Sequence, residues 1–206
     1  KTGSELEVGI DPPFPYAPQN KEWIMKVKTI EEARDFVMEV KVCTIFPSDK
    51  AGHTSLWDHV DLPDKKTGDP GWGEKMGAVW TWKNRLPCTY PNEIYYGKIK
   101  GGFAVLMDME YLAETHFPAA YKPVESLNQL AQRIYEYIRN EPWTTTELRN
   151  EVVRDLGCSK SQFDTALKNL QISLNVVRDC EAEQDTWLPF QEVYTDIWSR
   201  HVPGDA

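Results

Sequence analysis

The pattern of apolar and polar positions predicts short helices and strands in an order that occurs twice along the chain. In the first half, Thr29 and Glu32 form the two parts of a helix capping box. The apolar positions behind them recur at helical spacing and are Ile30, Ala33, Phe36, Val37 and Val40. A β-branched and aromatic run over 42–46 predicts a strand, and Ser55 is placed to cap a short helix over 55–60.

A longer helix and a hairpin are predicted next. Residues 72–86 have helical spacing, and Pro87 is expected to close that helix. Two strand-like runs, 93–99 and 103–109, meet at Lys100-Gly101-Gly102, where glycines permit the positive φ of a tight turn. Helix, short helix, helix and hairpin is the element order of a winged helix.

The second half has the same predicted order. Ser126 is expected to open a helix, and Thr144 with Glu147 forms a second capping box. Gly157 is expected to end the helix that follows this box, and Ser159 to cap the third helix. The remaining predicted elements are a wing of two strands, 174–178 and 187–193, an acidic tip between them, 180–185, and a final helix, about 191–201.

These patterns predict an α+β, mostly helical fold of tandem winged helix-turn-helix modules. We expect an extended N-terminal arm over 1–28, because its prolines disfavour a helix. A first winged-helix-like module is predicted over 29–117, a linker over 118–125 and a C-terminal winged-helix module over 126–206.

Composition limits the classes of protein to which the chain can belong. Hydrophobic residues make up 41% and charged residues 27%, which favours a folded, soluble protein over a disordered or membrane-spanning one. No signal pattern is visible at Lys1, so the expected compartment is the cytoplasm. The four cysteines form no CxxC pair and are interpreted as reduced thiols.

Charge argues against tight DNA binding, because the net charge is -9 and nucleic-acid affinity depends on neutralising phosphates. The distribution is uneven, however. From Lys65 to Lys100 there are seven basic residues against three acidic ones, whereas from Ser126 to Phe190 there are seven basic against ten acidic.

Several segments resemble the AlkZ-related proteins, relatives of the AlkZ/YcaQ-type winged-helix DNA glycosylases. They are Ser55-Leu-Trp-Asp, Gly71-Trp-Gly-Glu-Lys-Met76, Trp80-Thr-Trp-Lys83 and Thr144-Thr-Thr-Glu-Leu-Arg149. The similarity extends over about 29–200 and implies tandem winged helices and an association with DNA repair. If the chain is an enzyme, the resemblance implies a glycosylase-like hydrolase.

Active glycosylases of that superfamily carry a glutamine-hydrophobic-glutamine or glutamine-hydrophobic-aspartate triplet. Gln184-Asp185 is similar to it but lacks the middle residue. We therefore expect the chain to lack the triplet, and no catalytic residue is carried over from the resemblance.

Two sets of residues are candidates for binding. The predicted third helix of the second module and the wing offer DNA contacts of suitable chemistry, although a solvated helix face would have the same composition. These candidates are Lys160, Gln162, Thr165, Lys168, Asn169 and Arg178. Trp80, Trp82 and Lys83 are candidates for a ligand pocket between the modules; Trp82 is favoured, because Trp72 and Trp80 share one predicted helical face.

Carboxylates and histidines offer weaker alternatives. Asp108 and Glu110 would share one face of a strand and could pair, although the alternating pattern favours an exposed edge. The histidines match no metal-ligand spacing, so neither a metal nor a cofactor is expected.

Three functional classes follow from these observations. The leading one is a DNA-associated winged-helix protein whose binding is weak and salt-dependent, without a membrane partner. The alternatives are a protein-interaction module and a binder of a small ligand in a cleft between the modules.

Overall fold

The structure is a computed structural model that describes residues 25–202. Residues 1–24, which make up most of the predicted arm, lie outside the described residues. Within 25–202, no helix combines the length and the apolar character needed to cross a bilayer.

Helices and strands follow one another closely along the described part of the chain. In chain order they are α1 (Ile30–Val40), β1 (Val42–Thr44), α2 (Leu56–His59), α3 (Glu74–Thr89), β2 (Ile94–Lys98), β3 (Ala104–Asp108), α4 (Met109–Tyr111), a π-helical turn (Leu112–His116), α5 (Phe117–Ala120), a 3-10 turn (Val124–Ser126), α6 (Gln129–Asn140), β4 (Trp143–Thr144), α7 (Thr145–Leu156), α8 (Lys160–Ile172), β5 (Val176–Arg178), β6 (Thr186–Pro189), α9 (Phe190–Val193) and α10 (Thr195–His201).

The same arrangement of elements occurs in both halves. The first half runs α1, β1, α2, α3, β2, β3 and the second runs α6, β4, α7, α8, β5, β6. Each half holds a three-stranded antiparallel sheet whose last strand is central, in the orders β1-β3-β2 and β4-β6-β5. The predicted α+β class, with mostly helical content, is therefore confirmed.

Helix starts follow the local signals. Thr29 with Glu32 and Thr144 with Glu147 both form complete capping boxes, as predicted. Ser159 caps α8, where Gln162 completes a third box. Because each of these contacts joins residues three positions apart, the neighbouring sequence alone was enough to predict them.

Three predicted boundaries were wrong. Pro87 lies inside α3, which continues to Thr89 and begins only at Glu74. Ser126 does not cap α6, because its hydroxyl donates to the carbonyl of Pro123 at 2.7 Å; Asn128 is the cap. The predicted final helix is divided into α9 and α10 at Tyr194, whose backbone is not helical.

Buried side chains form three clusters, one of which is shared by the two halves. One cluster is built from the first half alone and another from the second half. The shared core takes Tyr95, Val105 and Met107 from the first half and Leu174 and Phe190 from the second. The helical segment from α4 to α5 contributes to this shared core as well, so the connection between the halves is packed rather than free.

Candidate functional site

The N-terminal half of α8 presents a polar face to solvent. Lys160, Gln162 and Thr165 are exposed, whereas Phe163 and Ala166 point into the core. This separation follows from the apolar positions of α8, which recur every three or four residues. All three polar candidates are therefore accessible at the start of α8. Gln162 and Thr165, three residues apart, lie on one side of the helix, whereas Lys160, two residues before Gln162, lies on another.

Asp164 also lies on α8, but a neighbouring cation balances its charge. The Arg149 guanidinium donates to Oδ1 of Asp164 from Nε at 3.0 Å and from Nη2 at 2.8 Å. This carboxylate therefore repels an approaching phosphate less than an unpaired one would.

Lys168 and Asn169 occupy the other half of α8 and are partly covered. A Cβ added to Gly102, in the hairpin turn of the first half, would lie 3.0 Å from Cδ of Lys168. β2 packs along the same part of the helix. The first half thus covers Lys168, and both Lys168 and Asn169 are less exposed than Lys160.

Arg178 lies between the halves, at the end of β5, rather than beside the exposed residues of α8. Its side chain is 9% exposed, its Nη1 donates to Oδ1 of Asn84 at 2.8 Å, and its Nε is 2.5 Å from Oδ1 of Asp185. We call this region the seam: the place where α3 and β2 of the first half meet α8 and β5 of the second.

The tryptophans are arranged in the opposite way from the prediction. Trp82 is 8% exposed and packs in the core of the first half, whereas Trp80 is 43% and Trp72 is 59% exposed. The buried face of α3 contains Val79, Trp82 and Leu86, at helical spacing that leaves Trp80 outside. The favoured pocket residue is thus a core residue, and Trp80 and Trp72 form an exposed pair with ring centroids 5.4 Å apart.

Lys83 joins this aromatic pair to the seam. Its Nζ lies 4.0 Å from the ring centroid of Trp80 and 5.3 Å from that of Tyr96. Burial lowers the pKa of Lys83; Arg178 and Lys98 lower it further, and Asp185 opposes them. Lys98 is in a similar position, since burial and then Lys168 lower its pKa. Sequence reasoning identified Lys83 but missed Lys98, which is one of several lysines in a positive stretch.

A cleft of about 800 Å³ opens between the halves. Both halves line it, and its wall includes Tyr96, Arg178 and Tyr194 but none of Trp80, Trp82 and Lys83. Its acidic lining residues outnumber its basic ones, Arg178 and Arg200. These acidic residues are Glu110, Glu114, Asp179, Glu181 and Asp196.

Two cysteines meet near this cleft. Cys180, in the acidic tip, lines the cleft, and Cys88 is the next residue after the lining Pro87. Burial, and then the neighbouring thiol of Cys88, raises the pKa of Cys180 to about 12. Both cysteines are free thiols, and the raised pKa keeps Cys180 protonated at neutral pH, which makes it a poor nucleophile.

The proposed carboxylate pair is not formed. Asp108 is 1% exposed and caps α4, where its Oδ1 accepts from the backbone N–H of Tyr111 at 2.8 Å. Its Oδ2 lies 3.4 Å from Nζ of Lys41, so the predicted exposed edge is wrong for this residue. Glu110 lies in α4 and is exposed, because the strand ends before it.

His116 lies in the π-helical turn with its Nε2 buried, and this atom has no hydrogen-bond partner within residues 25–202. Burial, reinforced by the nearby His53, lowers the pKa of His116 to about 4. No group of three or more potential metal ligands is found among the residues that the structure describes.

The expectation that the chain lacks a glutamine-hydrophobic-aspartate triplet is wrong, because Gln162-Phe163-Asp164 has that form. Its position in α8 nevertheless separates the two polar side chains, since residues two apart on a helix do not face each other. Oε1 of Gln162 accepts from the backbone N–H of Ser159 at 2.7 Å, and Asp164 is held by Arg149. Both polar groups are thus engaged in local contacts.

The model of a family described as AlkZ related matches residues 27–186 of this chain. No match is found among curated proteins, and none among solved structures.

Proposed function

Because the chain belongs to the AlkZ-related family, we propose that it is a DNA-associated protein built from two winged helix-turn-helix modules. The observation that carries the proposal is the free polar face at the start of α8. The family relationship makes DNA the natural partner for such a face, because AlkZ-type proteins act in DNA repair.

The repeated element order supports the winged-helix assignment. In each half, three helices precede a hairpin, and the first strand pairs with the last to complete the sheet. In the second half the turn between α7 and α8 contains Gly157 in the left-handed conformation, with φ of 64°. Helix α8 then takes the place of the helix that enters the major groove in proteins of this type.

The proposed DNA contact uses Lys160, Gln162 and Thr165. Recognition helices insert their N-terminal residues between the backbones, which is the part of α8 that remains free. Lys160 would contact a phosphate, and Gln162 or Thr165 would lie near base edges. Lys168, Asn169 and Arg178 are less suited to direct contact, because all three are partly buried and Lys168 and Arg178 lie against the first half.

Binding is expected to be weak and strongly dependent on salt. The net charge of the chain is -9, and the free α8 face carries few cations. Dissociation constants of about 1–100 μM at physiological salt are typical of contacts dominated by phosphate neutralisation.

Fluorescence anisotropy of a labelled DNA duplex, at low and at physiological salt, tests the proposal. Lys160→Ala should weaken binding several-fold, whereas Lys50→Ala, which removes an exposed lysine in a turn outside α8, should not. Nanomolar binding that is insensitive to salt would contradict the proposal, as would equal affinities of the two variants.

We further propose that the protein does not excise simple alkylated bases. Gln162 and Asp164 do not converge on a common point, and each already has a local partner. Incubation with alkylated DNA, followed by detection of abasic sites, should show no more sites than a protein-free control. Release of a modified base at a robust rate would show that other residues perform catalysis.

The cleft between the halves favours a second candidate function, binding of a cationic peptide of another protein. Its 800 Å³ volume can hold several side chains, and its lining is predominantly acidic. A labelled lysine-rich peptide should bind the wild type more tightly than Asp196→Asn. A peptide without positive charge serves as the control, and equal binding of both peptides would count against this function.

A further inference from the structure

Lys83 is the most unusual charged residue of the described chain. Only 8% of its surface is exposed, although lysine is rarely buried unless a carboxylate accompanies it. Among residues 25–202, the ion pairs formed by lysines involve Lys26, Lys28 and Lys41, and not Lys83. Its described neighbours are instead the aromatic rings of Trp80 and Tyr96.

Three other cations belong to the seam. Arg178 and Lys98 are close enough to Lys83 to lower its pKa, and Lys168 acts in the same way on Lys98. Lys98 belongs to β2, Lys168 to α8 and Arg178 to β5, so four elements from both halves contribute one cation each. Arg178 is fixed in place by its hydrogen bond to Asn84, the residue next to Lys83. We call Lys83, Lys98, Lys168 and Arg178 the seam cluster.

Carboxylates balance only part of this charge. Asp185 pairs with Arg178, and Asp164 is engaged with Arg149. Within the part of the chain that the structure describes, Lys98 and Lys168 form no ion pair. Bringing like charges together in a partly buried region is unfavourable unless an anion joins them. The halves nevertheless pack so that these cations converge.

We propose that the seam cluster binds a phosphate group. A phosphate carries up to two negative charges and has oxygens directed at several donors, which suits three lysines without carboxylate partners. A single carboxylate ligand would leave more of the positive charge uncompensated.

The phosphate is either a free anion or part of a nucleic-acid strand, and the residues around the seam cluster are compatible with both sources. Trp80 exposes ring surface beside Lys83, and Trp72 packs edge-on against Trp80, so an unpaired base next to a bound phosphate could stack on this exposed pair. This site is separate from the free face of α8, because Lys168 lies on the covered half of that helix. The inference therefore does not depend on duplex recognition by Lys160.

Thermal unfolding of the full chain, with sodium phosphate or with sodium chloride at equal ionic strength, tests the site itself. Phosphate at about ten times its dissociation constant should raise the Tm of the wild type by about 3 °C. Lys83→Met and Lys98→Met should each lose at least half of that rise.

Lys75→Met is the matched control, because Lys75 is also in α3 and its Nζ lies 4.6 Å from the Trp57 ring centroid, outside the seam. It should keep the full response to phosphate. The Tm of each variant in chloride reports whether that variant folds. Lys98 is less buried than Lys83, so Lys98→Met still tests the site if Lys83→Met does not fold.

A labelled single-stranded oligonucleotide then distinguishes the two sources of phosphate. Binding that Lys98→Met weakens and Lys75→Met does not would identify a nucleic-acid strand, and a response to phosphate alone would identify the free anion. Either result supports the site. Equal Tm shifts in all variants, or no response to either probe, would overturn it, whatever Lys160→Ala does to duplex binding.

Discussion

The rings of Tyr95 in β2 and Phe190 in α9 lie 6.3 Å apart, centroid to centroid, at an interplanar angle of 64°. Both side chains are buried, and Tyr194 packs against each of them. This edge-on contact joins the sheet of the first half to the helices that end the second. The largest rings of the shared core therefore depend on both halves for their burial.

We predict from this contact that the chain unfolds as one cooperative unit. A fragment comprising residues 126–206 would expose Phe190, Leu174 and Ile197, and each large side chain returned to water costs about 2 kcal/mol. The fragment should therefore melt broadly or at a clearly lower temperature than the full chain. Circular dichroism melts of both proteins provide the measurement. A sharp transition of the fragment at the temperature of the full chain would indicate two autonomous domains.

Gly97→Ala should destabilise the protein by about 1–3 kcal/mol, the usual cost of overpacking. A Cβ at Gly97 would lie 2.1 Å from Oη and 2.5 Å from Cε1 of Tyr95, whose ring is buried and cannot move freely. Gly77→Ala is the control, because nothing lies within 4 Å of its added Cβ and alanine favours the helix. Chemical denaturation should show a lower free energy of unfolding for Gly97→Ala and no decrease for Gly77→Ala. Similar free energies of unfolding for the two variants would refute the steric argument.

Stability should fall as the pH is lowered from about 6.5 towards 4. The pKa of His116 in the folded state is about 4, below its ordinary value of 6.5, so the unfolded chain binds this proton more readily. The stabilising contribution of the neutral, buried His116 is complete above pH 6.5. It is lost as the pH falls towards 4, by about 3 kcal/mol, because each pKa unit corresponds to about 1.4 kcal/mol. His116→Leu should show a flatter decline in urea titrations across this range. An unchanged slope would mean that other groups control the acid response.

Thr144→Ala should lower the free energy of unfolding by about 1 kcal/mol, because Oγ1 of Thr144 accepts from the backbone N–H of Glu147 at 3.3 Å and completes the box that starts α7. Thr146→Ala, at an exposed position two residues later, is the matched control and should change stability little. Denaturant titrations of the two variants provide the comparison. If Thr146→Ala were the more harmful change, the capping contact would not be the source of stability.

The sequence by itself determined the starts of α1, α7 and α8, because a capping box depends only on a backbone turn and two side chains three residues apart. It also determined the position of the hairpin turn at Gly101 and Gly102, where φ is 91° and 85°. The exposure of Lys160, Gln162 and Thr165 likewise follows from helical periodicity, because the apolar positions of α8 fall between them. Each of these features depends only on residues close in sequence, so it does not depend on how the rest of the chain packs.

Only the tertiary structure decided which of these polar residues remain accessible and which cations meet. Lys168 and Arg178 were grouped with Lys160 in the sequence, but packing of the first half against α8 and β5 places them in the seam. Trp82, predicted to be accessible, is buried, and Trp80, predicted to be packed, is exposed. The reason is that the face of α3 that packs against its neighbours carries Trp82 and not Trp80. Lys83 and Arg178 belong to different halves, so no periodicity could join them. Their proximity arises from the packing that buries Tyr95 against Phe190 and lets Arg178 donate to Asn84.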